Sequence, residues 1–487
     1  MMSLHDELKQ LFYPKSIAVI GASANPMKFG GGFLSALQQF GYKGKIYPVN
    51  PQGTEILGLK MYPNVKDIPD QVDLAHIMVP SHIVPSVLED CLVKGIKGAQ
   101  IFTAGFRETG EEEGKRLETE IVKIAHKGIR IIGPNCFGVY CPSSGLTLLP
   151  GYDFPKESGS VAFLSQSGGY AAEICNEARA WGIRFSKVIS YGNACDLNET
   201  HYLEYLADDP ETKIIAAYME GPRDGHKFFR LVQEISKIKP IVIWKGGLTK
   251  AGSRAVSSHT ASLAGEEAIW DALFRQTAAI RVKDLEELID TVVALTHLPK
   301  PEGRKVGVVG GGGGIGVAAA DVCELAGLSV THFGQEIQQQ LKGILPPAGT
   351  GVQNPVDVGA PIVMPDIFQR SLEITSSAPN SHSVIATQAI FYLHVLSKTL
   401  GAFFPSPDGF IQSLLDIPVN VKKEYKKPIV MVLPVGSPEA AMVDAEKTRR
   451  EAMAHYLNHG IPAYPTLARA AKSIANVVEY YEKADGY

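Results

Sequence analysis

The sequence has few cysteines and no long hydrophobic run. Its 487 residues include six cysteines, none in a CxxC spacing, so the composition offers neither a disulfide framework nor a zinc site. No uninterrupted apolar stretch reaches about 18 residues, the length of a membrane-spanning helix. The first eleven residues lack the apolar core of a signal peptide. We therefore expect a soluble protein in the reducing cytoplasm, with no membrane partner.

The sequence also lacks an excess of charge of either sign. It contains 47 Lys and Arg against 51 Asp and Glu, a net charge of −4. No run of basic residues supplies a surface for nucleic acid. Charged residues make up 20% and hydrophobic residues 45% of the chain, as in an ordinary globular protein. At roughly 100–200 residues per domain, the length predicts two to four domains.

What the sequence does contain is three segments that each open with an apolar strand pattern, pass a glycine turn and continue as a helix pattern. They begin at Ser16, Gly159 and Lys305. Short buried strands that alternate with helices predict an α/β protein with parallel, doubly wound sheets. Proline-bearing linkers fall at 141–157 and 298–304. The three predicted domains span residues 8–145, 158–298 and 304–487.

The first opening carries a glycine turn that suits a phosphate. Gly21-Ala22-Ser23 follows the first strand and leads into a helix, which places backbone N–H groups at the carboxyl edge of the sheet. The spacing is not GxGxxG, and Asn50-Pro51 stands where a dinucleotide enzyme has the acidic residue that binds ribose. NAD is therefore disfavoured. Instead of binding phosphate, the glycines could serve only a tight turn, and Lys28 could be a solvated loop residue.

Loops of the same kind follow other predicted strands of the first domain. They are Val79-Pro80, Ala104-Gly105-Phe106 and Asn135-Cys136. Because the carboxyl ends of parallel strands meet at one edge of a sheet, we expect these loops to converge on one crevice. No histidine neighbours Cys136 in the sequence, so a small buried residue is the alternative to a nucleophile there.

A segment rich in small residues surrounds a single histidine. From 246 to 265, fourteen of twenty residues are Gly, Ala, Ser or Thr, and the only histidine is His259. Small residues bury little surface, so we expect a mobile loop here. A neutral imidazole is a competent nucleophile toward phosphorus and could carry a phosphoryl group. The alternative is a solvated loop histidine.

Other loops offer groups that suit phosphoryl chemistry. Ser165-Gln166-Ser167-Gly168-Gly169 starts the second domain's first helix, where N–H groups and the helix dipole favour an anion. Glu220 ends a predicted strand and could bond one imidazole nitrogen, although a Glu at a strand end is also common. Gly312-Gly313-Gly314, within the glycine run 310–316, offers another helix start or a flexible turn.

Seven motifs carry a resemblance to a known family. They are GAS (Gly21–Ser23), VNP (Val49–Pro51), AGF (Ala104–Phe106), GPN (Gly133–Asn135), SQSGG (Ser165–Gly169), SHTASLAG (Ser258–Gly265) and NPVD (Asn354–Asp357). Together they resemble the α subunit of NDP-forming acyl-CoA synthetases, the ADP-forming acetyl-CoA synthetase family, which is related to the α subunit of succinyl-CoA synthetase. The resemblance covers about residues 8–480, and its SHTASLAG segment is highly specific.

The resemblance implies a Rossmann-like CoA-binding domain followed by two flavodoxin-like ligase domains. It implies an enzyme that interconverts acyl-CoA, ADP and phosphate with carboxylic acid, CoA and ATP, through an acyl phosphate and a phosphohistidine. His259 would be the phosphorylated histidine and Glu220 its stabilising carboxylate. Ser165 to Gly169 and Gly312 to Gly314 would face phosphate. The implied CoA site comprises Gly21, Ala22, Ser23, Lys28, Asn50, Pro51, Val79, Pro80, Ala104, Gly105, Phe106, Asn135 and Cys136.

The sequence departs from the family pattern in two respects. No part of it resembles an ATP-grasp module, so ADP or ATP and Mg are expected on a separate ATP-grasp β subunit in a hetero-oligomer, a homodimer being the other assembly. The run Asp357–Pro361 reads DVGAP where a DLTG-like run is usual. A CoA-binding regulatory or scaffold protein without its nucleotide partner is the alternative function. The presence of His259 and Glu220 favours the enzyme, because a scaffold needs neither.

Overall fold

The structure is a computed structural model that describes residues 3–25, 28–150, 153–259, 266–359, 364–399, 408–436, 439 and 442–486. The chain divides into two compact units, residues 1–288 and 289–486. Within the described ranges, every helix is too short or too polar to cross a bilayer. Among the described residues, the first unit contains two large sheets and the second unit contains one.

The first sheet lies in the N-terminal part of the first unit. Its elements are α1 (Leu4–Phe12), β1 (Ser16–Ile20), α2 (Phe29–Phe40), β2 (Lys45–Val49), β3 (Glu55–Ile56), β4 (Leu59–Lys60), β5 (Leu74–Ile77), α3 (Val84–Lys94), β6 (Gly98–Ile101), α4 (Glu112–Ala125) and β7 (Arg130–Ile132). Five strands are parallel in the order β2-β1-β5-β6-β7, and β3 pairs with β4 as a hairpin. Every residue of β1 is buried, as expected of a parallel strand covered on both faces by helices.

The second sheet follows in the same unit. Its elements are β8 (Gly138–Tyr140), β9 (Val161–Ser165), α5 (Gly168–Ala180), β10 (Phe185–Ser190), α6 (Glu199–Asp208), β11 (Ile214–Met219), α7 (Gly225–Ile235), β12 (Ile241–Lys245), α8 (Lys250–His259), α9 (Glu267–Gln276) and β13 (Ile280–Val282). The strand order is β13-β12-β11-β9-β10-β8. Strand β8 is antiparallel to β10 and was not found from the sequence, since three residues are too few for a recognisable pattern.

The third sheet forms the second unit. Its elements are α10 (Leu285–His297), β14 (Val306–Gly310), α11 (Gly313–Leu325), α12 (Gln335–Lys342), β15 (Val356–Asp357), α13 (Pro365–Ser377), β16 (Ser383–Thr387), α14 (Phe391–Thr399), α15 (Asp408–Tyr425), β17 (Ile429–Val432), α16 (Val443–Asn458), β18 (Ala463–Tyr464) and α17 (Leu467–Gly486). The strands are parallel in the order β15-β14-β16-β17-β18. The prediction of an α/β protein with doubly wound parallel sheets is confirmed.

Each large sheet has a point where the strand order reverses. Strand β1 has β2 on one side and β5 on the other, β9 lies between β10 and β11, and β14 lies between β15 and β16. Open parallel sheets bind ligands beyond the carboxyl ends of their strands at such reversal points. The glycine-bearing loops that follow β1, β9 and β14 all begin there.

The expectation of a loop over 246–265 is wrong for residues 250–259, which form helix α8. The hydroxyl of Thr249 accepts a hydrogen bond from the Gly252 N–H at 3.0 Å, and the Thr249 carbonyl accepts one from the Ser253 N–H at 2.7 Å. A threonine in this position caps a helix N-terminus, and the Lys, Ala and Arg that follow favour helix. Residues 260–265 lie outside the described residues, so the predicted mobility of this segment stays a prediction.

Candidate functional site

A cavity of about 660 Å³ lies at the reversal point of the first sheet. The residues that follow β1, β2 and β5 line it, as the sequence predicted. Seven of the predicted CoA residues are among them: Gly21, Ser23, Lys28, Asn50, Pro51, Val79 and Pro80. The sequence analysis missed four polar lining residues: Gln52, Asn64, Ser86 and Asp90. The cavity has the size of a small-molecule site and a mixture of apolar and polar walls.

The cavity's first wall is built by close backbone contacts. Gly21 has φ +92°, and a Cβ at this position would lie 2.4 Å from the Met78 carbonyl oxygen. A Cβ on Gly31 would lie 2.3 Å from the Ser23 carbonyl oxygen and 2.5 Å from that of Asn25. The glycine loop is therefore pressed against the first turn of α2, which only residues without a Cβ allow. This arrangement leaves the helix N-terminus beside the cavity, where it favours an anion.

Asn50 joins two of the cavity's loops. Its side-chain Nδ2 donates to the Ala22 carbonyl at 2.7 Å, and its Oδ1 accepts from the Gln52 N–H at 2.9 Å. The side chain thus fixes the loop after β2 to the glycine loop after β1. The asparagine of the VNP motif therefore has a structural role, which is to join two loops, and this role does not require a ribose hydroxyl.

Three predicted CoA residues, Ala22, Phe106 and Cys136, have buried side chains in the hydrophobic core. The Cys136 thiol donates to the Ile101 carbonyl at 3.4 Å, and burial raises its pKa to about 12. A protonated, buried thiol is not a nucleophile. Any contact of these three residues with a ligand would therefore come from their backbone groups.

The remaining predicted CoA residues, Ala104, Gly105 and Asn135, lie outside the cavity lining. The Gly105 N–H donates to Glu108 Oε1 at 2.6 Å. The Asn135 side chain donates to Asn193 Oδ1 at 3.4 Å, and Asn193 in turn donates to Glu118 at 2.9 Å. These loops therefore connect the first sheet to the loop that follows β10 in the second sheet.

The start of α5 lies at the reversal point of the second sheet. Ser167 is the N-cap, and its Oγ accepts from the Tyr170 N–H at 3.3 Å. The Ser165 hydroxyl donates to the Ser167 carbonyl at 2.6 Å. Both serines therefore shape the turn, while the first N–H groups of a helix, here those of Gly168 and Gly169, have no partner within it. The helix dipole adds about half a positive charge at this end, so the turn suits a phosphoryl group.

Glu220 directly follows β11, the strand beside β9, and is 3% exposed. Gln166 holds its backbone: Oε1 accepts from the N–H groups of Glu220 and of Gly221, the latter at 3.1 Å, and Nε2 donates to the Gly221 carbonyl at 3.1 Å. The Tyr218 hydroxyl donates to the Glu220 carboxylate at 3.3 Å. The structure thus brings Glu220, Gln166 and the start of α5 together at one edge of the sheet.

Lys245 is a buried cation near Glu220 that the sequence analysis missed. It ends β12 and pairs with Met219, the residue before Glu220. Its ammonium group donates to the Gly246 carbonyl and lies 5.4 Å from the centre of the Trp270 ring. Burial lowers the pKa of Lys245 to about 8, and the Glu220 carboxylate partly opposes that shift. A lysine that ends an otherwise apolar strand was the available signal.

His259 is the last residue of α8, and its side chain lies outside the described residues. Helix α8 lies beside the short 3-10 helix Arg107–Thr109, which follows the Ala104–Phe106 loop of the first sheet. The backbone of the candidate phosphohistidine is thus placed in the first unit, which holds both the cavity and the start of α5.

The third glycine loop belongs to the second unit. Gly312 has φ +97°, and its N–H donates to Asp357 Oδ1 at 2.9 Å, which also accepts from the Gly359 N–H at 2.8 Å. Asn354 bonds the backbone of Val308 at 3.0 Å. The NPVD motif therefore builds the loop from which α11 starts, with Gly313 and Gly314 exposed. In the described part of both units, no cluster of three or more His, Cys, Asp or Glu side chains is arranged to hold a metal ion.

Comparisons with known proteins agree with this geometry. The sequence model described as "CoA binding domain" matches residues 15–142, and the one described as "Succinyl-CoA ligase like flavodoxin domain" matches residues 158–295. The chain is 38% identical over 484 residues to the alpha subunit of ADP-forming acetate–CoA ligase I of Pyrococcus furiosus, covering 97% of each chain. It is 43% identical over 353 residues to the ADP-forming acetate–CoA ligase of Methanocaldococcus jannaschii, covering 72% of this chain and 49% of that protein.

A solved structure is similar over nearly the whole chain. It is the dinucleotide-forming acetyl-coenzyme A synthetase 1 of Candidatus Korarchaeum cryptofilum in complex with phosphate and ADP, with 33% identity and a TM-score of 0.82. The match covers 98% of this chain and 97% of that chain. The resemblance inferred from the seven motifs is confirmed, as is the succession of a CoA-binding and a flavodoxin-like domain. The chain belongs to the family of ADP-forming acetate–CoA ligase alpha subunits, which is related to succinyl-CoA ligase.

Proposed function

We propose that this chain is the α subunit of an ADP-forming acyl-CoA ligase that acts through a phosphohistidine at residue 259. One observation carries the proposal. At the reversal point of the second sheet, Gln166 joins the turn that starts α5 to the backbone of Glu220 and Gly221, in a chain whose helix α8 ends at His259. An anion site beside a carboxylate is what transfer of a phosphoryl group to an imidazole requires.

The first step takes place between the two ligand sites. Acyl-CoA occupies the cavity at the first sheet, near Ser23 and Lys28, and phosphate binds the N–H groups at the start of α5. A phosphate oxygen attacks the thioester carbonyl carbon, the carbon–sulfur bond breaks, and the CoA thiolate leaves with its electron pair. The products are CoA and an acyl phosphate. The helix dipole stabilises the phosphate charge in this step.

The second step moves the phosphoryl group to the protein. Glu220 accepts the N–H of one imidazole nitrogen, which keeps the other nitrogen of His259 unprotonated and nucleophilic. That nitrogen attacks phosphorus, the bond to the acyl oxygen breaks, and the carboxylate product leaves. The phosphohistidine then gives its phosphoryl group to ADP, which forms ATP.

A separate ATP-grasp β subunit, with Mg, supplies the nucleotide site in this proposal. The P. furiosus relative that this chain matches end to end is named a subunit alpha, whereas this chain spans about half of the M. jannaschii ligase. A hetero-oligomer follows from this division. The cysteines are all free thiols, which suits the reducing cytoplasm.

The test is phosphorylation of the complex of this chain with its ATP-grasp partner. We expect acid-labile, base-stable label from γ-labelled ATP on the peptide containing His259, and its discharge by a carboxylic acid with CoA. His259→Ala should abolish the label while CoA binding changes less than tenfold. His226→Ala, which removes an exposed histidine on α7, is the matched control. A complex that binds CoA but acquires no label on residue 259 would instead support the CoA-binding scaffold.

A further inference from the structure

Three phenylalanine rings meet between the CoA cavity and the start of α5. Phe29 is the first residue of α2, Phe102 follows β6, and Phe137 precedes β8. The ring centres of Phe29 and Phe102 are 5.6 Å apart, and those of Phe29 and Phe137 are 6.4 Å apart. These separations are in the range of favourable ring contacts. We call these three residues the aromatic patch.

The aromatic patch differs from the core rings beneath it. Phe33, which packs on Phe102 with ring centres 4.9 Å apart, is completely buried. Phe29 is 37% exposed, and Phe102 and Phe137 are half-buried. A monomer gains nothing from leaving a cluster of aromatic rings partly in water, and such clusters mark ligand sites. The patch therefore has the exposure of a binding surface.

One side of the aromatic patch adjoins the CoA cavity. Lys28, the neighbour of Phe29, lines the cavity. Thr103, the neighbour of Phe102, donates its hydroxyl hydrogen to the carbonyl of Val79 at 2.7 Å, and Val79 also lines the cavity. A ligand that extends from the cavity along either neighbour reaches the rings.

The other side of the aromatic patch adjoins the start of α5. A Cβ on Gly168, the first residue of α5, would lie 3.0 Å from the Phe137 ring. The Phe137 N–H donates to the Ser190 hydroxyl at 2.9 Å, which fixes this residue against the second sheet. The Phe137 ring therefore lies against Gly168, whose N–H belongs to the proposed phosphate site.

We infer that the aromatic patch binds the acyl group of the substrate and selects an apolar monocarboxylic acid. This inference rests on the proposed function, which requires the acyl carbonyl carbon to lie between the CoA sulfur and the phosphate. The patch adjoins the cavity through Lys28 and the start of α5 through Gly168. An alkyl or aryl acyl chain would cover the exposed ring surface, whereas a second carboxylate would lose hydration against the electron-rich faces of the rings.

The test compares acyl-CoA with CoA on the full chain by calorimetry. We expect phenylacetyl-CoA to bind more tightly than CoA, and succinyl-CoA not to. The quantity measured is the affinity for phenylacetyl-CoA divided by the affinity for CoA. Phe29→Ala and Phe137→Ala should each reduce this ratio by about tenfold and leave the affinity for CoA nearly unchanged. Phe40→Ala, at the opposite end of α2, is the matched control and should leave the ratio unchanged.

The outcomes separate the two proposals. If CoA itself does not bind to the wild-type chain, the proposed function is wrong. If CoA binds and the two variants, still folded by circular dichroism, keep the wild-type ratio, the acyl site lies elsewhere and only this inference fails.

In the complex with the ATP-grasp partner, Phe29→Ala should raise KM for phenylacetate about tenfold and leave KM for CoA unchanged. A Phe29→Arg variant should shift the preference toward a dicarboxylic acid, and a fall in activity toward all acids alike would contradict the assignment.

Discussion

The side-chain amide of Gln166 fixes the backbone on which Glu220 stands. Its oxygen accepts two backbone hydrogen bonds and its nitrogen donates one, and both residues are 3% exposed. Gln166 lies in the turn between β9 and α5, and Glu220 directly follows the neighbouring strand β11. One side chain thus sets the distance between the proposed phosphate site and the proposed carboxylate. The sequence analysis placed Gln166 among the phosphate-facing residues, but its side chain is engaged with the protein backbone.

Gln166→Met should slow phosphorylation of His259 without weakening CoA binding. The substitution keeps the side-chain volume but leaves two buried N–H groups and a carbonyl without their partner, each at a cost of about 1–3 kcal/mol. The Glu220 turn is then free to shift. We expect the rate of phosphohistidine formation to fall by about a hundredfold, measured by rapid quench with labelled ATP. Gln100→Met, another buried glutamine in the first sheet, is the control, and an equal loss in both variants would indicate general destabilisation.

Lys245 should give phosphorylation an alkaline limit. Its pKa of about 8 lies below the ordinary value of 10.5, so the ammonium group loses its charge as pH rises through 8. The cation beside Glu220 then disappears. We expect the rate of phosphohistidine formation to decline above about pH 8 in the wild type. In Lys245→Arg the charge persists because a guanidinium is not deprotonated, so this decline should be absent.

The Lys245 prediction has a neutral control in Lys245→Met. That variant should be slow at every pH and show no decline near pH 8. Its thermal midpoint reports whether the buried charge matters for folding. A wild-type decline that persists unchanged in Lys245→Arg would assign the alkaline limit to another group.

Much of the fold could be predicted because buried parallel strands are continuous apolar runs. The strand predicted before Glu220 is β11, and the helix predicted to start at Ser165–Gly169 is α5. Two of the elements that were not predicted were missed for different reasons. The strand Gly138–Tyr140 is too short to show a pattern. Helix α8 was hidden by its Ser and Gly content, although its Thr249 cap was visible in the sequence.

The candidate site could be predicted where its residues follow strands, and not where they come from distant segments. Gly21, Asn50 and Val79 follow neighbouring parallel strands, so sheet topology alone brings them to one cavity. Asn64 and Asp90 reach the same cavity from a loop and from α3, and their side chains bond each other at 2.6 Å. Nothing in their spacing indicates that contact, because it depends on how α3 packs on the sheet.

Gly31→Ala should weaken CoA binding through the glycine loop. The added methyl group would meet the carbonyl oxygens of Ser23 and Asn25 at 2.3 Å and 2.5 Å, so the loop must move off the first turn of α2. We expect the Kd for CoA to rise at least tenfold, about 1.4 kcal/mol, in isothermal titration. Gly225→Ala places its methyl group at the start of α7 with no atom within 4 Å. It should bind CoA as the wild type does, and equal affinity in both variants would place CoA away from this loop.

His76 should make the first unit sensitive to acid. It lies in β5, 1% exposed, and neither ring nitrogen has a hydrogen-bond partner among the described residues. The Phe33 and Phe102 rings pack against it at 5.1 Å and 5.4 Å, and burial lowers its pKa to about 3. Between pH 6.5 and 3 the unfolded chain therefore binds a proton that the folded chain does not, so the free energy of unfolding falls as pH falls.

The size of the His76 effect follows from its pKa in the two states. Between pH 7 and pH 5 this one group removes about 2 kcal/mol of stability. His76→Phe should remove that part of the pH dependence and should also stabilise the protein at pH 7, since no buried nitrogen is left unsatisfied. The measurement is the unfolding midpoint of the transition that includes the CoA domain, at pH 5, 6 and 7. His126→Phe, which changes an exposed histidine on the same domain, should keep the wild-type slope. If His76→Phe kept the wild-type pH dependence of the unfolding midpoint, His76 would take up its proton in the folded protein as it does in the unfolded chain. That result would contradict the burial of the ring in apolar surroundings.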